Sequence, residues 1–245
     1  MTARGHGPVI GAVTAGSCRS LSITAPFGKP YACGPVNPLQ GAAVNDFLQA
    51  LRTQRWDDHR YYHHSRINQS LHLFSALSFV AGYAFMFIDP IVAAFIGWGL
   101  AMVSRQAGHF FFEPRGYDAV NQVTHEYKEE IKVGYNLQRK VVLMGLWLAA
   151  PLLLYVDPTL FGLFAEPAQG AELLRRIGAV WLVLGIGGLL FRALQLFVIQ
   201  DVQTGLVWVT KILTDPFHDI KLYHKAPLAL LRGELIDPMP DAARH

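Results

Sequence analysis

Ile177–Ile199 reads IGAVWLVLGIGGLLFRALQLFVI, an apolar run broken by one charge, Arg192. About 20 predominantly apolar helical residues cross the hydrocarbon core of a bilayer, and this run meets that length. A shorter run precedes it, from about Val141 to Val156, and closes at Asp157-Pro158. Two more, about Leu71 to Ile88 and about Pro90 to Phe112, are separated only by Asp89-Pro90 and so form a tight hairpin. Of these three, the run from Pro90 spans comfortably, while the other two are short and must tilt little or lean on neighbours. Beyond the long run, Leu206–Leu213 is apolar but too short to span and suits an interfacial helix. The expected fold is all-α: a polytopic membrane bundle of about four transmembrane helices, with interfacial helices on one face.

Composition agrees. Of 245 residues, 52% are hydrophobic and 16% charged, against about 25% charged in soluble domains, and the mean hydropathy is +0.26. A soluble helical core also looks apolar all round. The polar residues left in so short a chain are too few to bury four such segments. The net charge of +3 suits anionic headgroups. No Lys/Arg stripe interleaved with aromatics appears, which excludes a nucleic-acid binder. Cys18 and Cys33 form no C-x-x-C pair and read as incidental. Residues 1–44 contain no Asp or Glu and are rich in Gly, Pro, Ser and Thr; they read as a disordered or targeting tail. Residues 45–245 form a single helical domain, opened by Asn45 or Asp46 as N-cap.

Span order sorts the histidines. The segments before the first span, between the second and third, and after the fourth share one face of the bilayer. That face carries His59, His63, His64, His72, His109, His125, His218 and His224. It also carries most of the Lys and Arg, while the opposite face has only Arg175 and Arg176. Excess Lys and Arg mark the cytoplasmic side, so the His-rich face and both termini are expected there.

Four constellations on that face bear chemistry. His64, Asn68 and His72 recur at i, i+4 and i+8, one stripe on a helix, with His59 and His63 as a second i, i+4 pair beside it. His109 and Glu113, also i, i+4, close the second span, with Arg105 and Gln106 one turn earlier. Ionisable groups at membrane depth are costly and usually functional, and imidazole with carboxylate suits Fe, Zn or Mn. His125 and Glu129 share a helix face, flanked by Lys128 and Lys132, and read equally as ligands or as a salt-bridged surface. Asp215-Pro216-Phe217-His218-Asp219 reads as a turn or as a ligand and its orienting carboxylate. Phosphate-binding glycine loops and G-x-S-x-G elbows are absent.

The motifs His63-His64-x3-Asn68-x3-His72 and Gly108-His109-x2-Phe112-Glu113 resemble those of a small membrane-protein family, the 2-hydroxy fatty acid dioxygenases of fatty-acid α-oxidation. The resemblance covers roughly residues 56–116. It implies Fe(II) held by His64, His72 and His109, and implicates His63, Asn68 and Glu113. After Glu113 the sequence departs from the family pattern, and the segments around His125 and His218 have no counterpart there, which leaves room for further ligands or a second metal. The expectation is an iron-dependent, O2-using membrane enzyme that shortens 2-hydroxy fatty acids by one carbon. Glu113 would be a fourth ligand or proton acceptor, Asn68 would orient a ligand or substrate, and Arg105 or Arg66 would pair the substrate carboxylate. His63, His125 and His218 complete the candidate metal set. One rival is a two-metal lipid hydroxylase or desaturase; against it, H-x3-H spacing occurs only at His59/His63 and no H-x2-H-H box occurs. The other rival is a non-enzymatic membrane scaffold.

Overall fold

Helix α1 (Ala42–Tyr62) ends at a two-residue break, and Ser65 starts α2 (Arg66–Phe85) as its N-cap, its side chain accepting from the backbone N–H of Asn68. That break places His63 and His64 outside both helices. The C-terminal strand-like segment fixes it: Arg66 N–H donates to Leu235 O and Asp237 N–H to His64 O. The Asp237 carboxylate accepts from Arg66 and Gln69. This computed structural model describes residues 42–113, 116–119, 121–134 and 137–239; the expected tail and both cysteines lie outside them, save for residues 42–44, which already belong to α1.

After the Asp89 N-cap, with Pro90 pre-set for the first helical turn, the chain runs as one rod from Pro90 to Phe111: α3 (Pro90–Phe95), a π-helical stretch (Ile96–Met102) and α4 (Val103–Phe111). A short α5 (His125–Ile131) follows, then α6 (Leu137–Val156) and α7 (Gly170–Ile199), then α8 (Val202–Tyr223) and α9 (Ala226–Leu231). No strand occurs among the described residues. Three helices are long and apolar enough to cross a membrane: Pro90–Phe111, Gln138–Val156 and Gly170–Ile199.

The expected first span, Leu71–Ile88, is α2, and it is not among those three. Its buried positions include Asn68, Gln69, His72, Ser75 and Ser78, so its inward face is polar. Helix α2 packs against α4, the π-helical stretch, α8 and α9, and those neighbours surround that polar face. The second departure is α8. The expected short Leu206–Leu213 helix and the Asp215-Pro216 turn are one continuous helix with Pro216 buried inside it. Tyr83 donates to Leu213 O at one end of the α2–α8 pair, while His72 approaches Asp219 at the other. The two helices are thus antiparallel.

Candidate metal centre

His63 from the α1–α2 break, His72 from α2 and His109 from α4 meet in the interior. Their ring centroids are 4.1, 4.9 and 5.3 Å apart, all three are buried, and one nitrogen from each lies within 4.8 Å of the others. Close approach of α4 to α2 makes this possible, and Gly108 permits it. A Cβ at Gly108 would collide with Asn68 Oδ1 and stand 3.3 Å from His72 Cδ2.

Each imidazole is presented differently. His109 Nδ1 lies 2.7 Å from Glu113 Oε2, and the other carboxylate oxygen accepts from Lys132 at 3.0 Å. A carboxylate on Nδ1 fixes the tautomer and leaves Nε2 as a lone-pair donor. The Tyr223 hydroxyl stands 3.2 Å from His63 Nδ1 and 3.2 Å from His59 Nδ1. One hydroxyl can donate to one ring and accept from the other. When His63 Nδ1–H donates to Tyr223, the hydroxyl donates to His59 and His63 Nε2 is left bare. His72 has Asp219 Oδ2 at 3.9 Å from Nδ1, too far for a hydrogen bond, and Asp219 itself accepts from Arg105 at 3.0 Å.

Burial favours the neutral form of His63 and His59. It pushes His63 well below its ordinary value, assisted by the neighbouring His72, and lowers His59 to about 4. Burial likewise raises the Tyr223 hydroxyl well above the usual phenol range, so it remains a donor. Neutral imidazole is the form that binds metal.

The orphaned atoms point the same way. His63 Nε2, both nitrogens of His72, Asn68 Oδ1 and Gln106 Oε1 are buried with no hydrogen-bond partner. A buried polar atom left unpaired costs about 1–3 kcal/mol, so the bare nitrogens of His63 and His72, which meet at one point, fit a missing ligand. Three neutral nitrogen donors suit Fe, Zn, Cu or Ni.

The other expected ligands lie elsewhere. His64 turns the opposite way from His63: its Nε2 meets Arg60 O and lies 3.5 Å from Asp118 Oδ2, with the Asn121 amide at 3.2 Å. The expected His64-Asn68-His72 stripe required one unbroken helix, and the Ser65 N-cap ends that register. Asn68 instead donates to Tyr62 O at 2.8 Å, tying α2 to the end of α1. His125 is exposed at the start of α5. His218 sits on α8 with Nδ1 4.0 Å from Asp219 Oδ1 and is not one of the three histidines whose nitrogens meet. Arg66 is engaged by Asp237. Tyr223 escaped sequence reasoning; the Asp215, Asp219, Tyr223 spacing on one face of α8 was the available signal.

A cavity of about 540 Å³ adjoins the cluster. His109, Arg105, Gln106, Tyr62, Lys132 and Lys140 line its polar end, and Phe79, Met86, Trp98, Met102, Leu143 and Trp181 are among its apolar walls. No family model, curated protein or solved structure matches the chain.

Proposed function

We propose that the chain is an iron-dependent membrane oxygenase acting on a lipid acyl chain, with His63, His72 and His109 holding the metal. The supporting observation is three buried imidazoles, two of them with unpaired nitrogens, beside a cavity that is polar at the histidine end and apolar beyond it. The motif resemblance supports the finer reading, oxidation of a 2-hydroxy fatty acid to the acid one carbon shorter. That reaction balances with O2 as the only oxidant: R–CH(OH)–COOH plus O2 gives R–COOH, CO2 and H2O. Iron bound there would supply O2 activation. The chain's own residues do the rest. Glu113 orients His109, and the orphaned Gln106 Oε1 is an acceptor for the substrate hydroxyl. The apolar wall keeps water from the acyl chain.

The test is iron content and O2-coupled consumption of a 2-hydroxy fatty acid by detergent-purified protein. Wild type is expected to carry stoichiometric iron and to consume substrate. Loss of a ligand exceeds the 10–100-fold typical of removing a residue that merely orients one. His63→Ala, His72→Ala and His109→Ala therefore lose iron by more than that, while His64→Ala keeps it. Wild-type protein that binds no metal would replace this reading with the scaffold.

A further inference from the structure

The polar end of the cavity carries seven charged side chains: Asp57, Asp58, Asp215, Arg105, Lys132, Lys140 and Lys211. Six are matched. Asp57 holds Arg60. Lys211 joins Asp58 and Asp215, and Arg55 adds to Asp215. Arg105 holds Asp219, and Lys132 holds Glu113 and Glu129. Lys140, near the start of α6, makes no ion pair or hydrogen bond among the described residues. A cation beside a low-dielectric wall is costly without a counter-charge, and among the described residues Lys140 is the one of these seven that no direct ion pair holds, with Glu113 and Asp58 acting on it only at longer range.

The opening has the opposite character. The lining residues that are exposed are Met86, Ile186, Ile212 and Leu213, all apolar. In a bilayer such a mouth communicates with acyl chains and not with water. At about 540 Å³ the cavity falls within the roughly 300–1,000 Å³ usual for a small-ligand site. At Gly97, on the cavity wall, a Cβ would meet nothing within 4 Å.

We propose that Lys140 is the residue that selects the head of the ligand, a single-chain amphiphile with one anionic group that enters from the bilayer and docks that group on Lys140. This rests on the preceding reading for its acyl ligand, and assigns the headgroup contact to Lys140 in place of Arg105 or Arg66, whose charges are already neutralised. With the anion on Lys140, the adjoining carbons lie beside His109 and the tail follows Trp98 and Trp181.

Binding to metal-stripped, full-length protein in nanodiscs tests this separately from the metal chemistry. The probes are hexadecanoate, hexadecyl phosphate and hexadecanol, each displacing a spin-labelled fatty acid. Wild type is expected to prefer both anions over the alcohol by at least tenfold. Lys140→Met loses that preference, Lys140→Arg keeps it, and Gly97→Leu weakens hexadecanoate more than octanoate by occupying the tail space. Equal binding of alcohol and anions to wild type, or an unchanged preference in Lys140→Met, overturns the proposal even if iron binds at the three histidines. Normal anion preference in a protein that never binds iron leaves the Lys140 assignment standing and removes only the oxygenase reading.

Discussion

At its first turns the Pro90–Phe111 rod gives Ala94 and Trp98 to an apolar core shared with Ala150, Leu154, Ile177 and Trp181. At its last turns the same rod gives Gln106 and His109 to a buried polar cluster. In the first region two of the three indole N–H groups find protein partners: Trp98 Nε1 donates to Trp181 O at 2.6 Å and Trp181 Nε1 to Trp147 O at 2.9 Å, while Trp147 Nε1 has none. In the second, His63, His72, Asn68 and Gln106 keep bare buried atoms. One end leaves a single indole N–H unpaired, whereas the other gathers several bare polar atoms beside three imidazoles that could hold a metal.

If the two ends are independent, damage to the core should leave metal binding intact. Leu154→Ala empties a fully buried position in the core. Truncations of this kind cost about 2–5 kcal/mol, so thermal unfolding should shift down strongly while iron per folded chain stays at the wild-type value. Loss of iron in this variant would show instead that the core sets the site's geometry.

Gly108→Ala sharpens the comparison from the other side. The new methyl meets Asn68 and His72, not solvent, and overpacking typically costs about 1–3 kcal/mol. The expected result is a smaller fall in thermal stability than Leu154→Ala, accompanied by weaker iron binding, because relief of the contact moves Asn68 from its bond to Tyr62 or α4, with His109, away from His72. Iron titration of the folded variant measures this.

The apolar end was legible from sequence because span length and composition depend on many residues at once. The apolar runs from Pro90, Val141 and Ile177 each become a helix long enough to cross. The polar end depended on single residues. Treating residues 59–72 as one helix put His64 in line with His72, and a Ser65 N-cap, itself a recognisable helix start, was enough to hand that place to His63. The run from Leu71 has nearly the length of a span, but its Ser and His residues share one buried face of α2 and lower its hydropathy. Pairing of His109 with Glu113 was legible because i, i+4 neighbours stay on one helix. Partners brought by α8 were not, since Asp215-Pro216 read as a turn and Pro216 instead lies within the helix.

Tyr223 provides the finest test of the polar end, since one hydroxyl separates two roles. Tyr223→Phe keeps the ring against His63, His72 and His59 and removes only the bond at His63 Nδ1 and its continuation to His59. If the hydroxyl merely fills space, iron affinity stays the same. If it fixes the tautomer of His63, affinity falls by about tenfold, the lower range for a residue that orients a metal ligand, with little change in unfolding temperature. His59→Gln should reproduce part of that loss, because the relay then ends on a side chain whose amide can flip. A spectroscopic probe such as Co(II) substitution would register a changed ligand field at His63 in both variants and none in Leu154→Ala. Lost stability without a spectral change belongs to the packed end, and a spectral change without lost stability belongs to the histidine end.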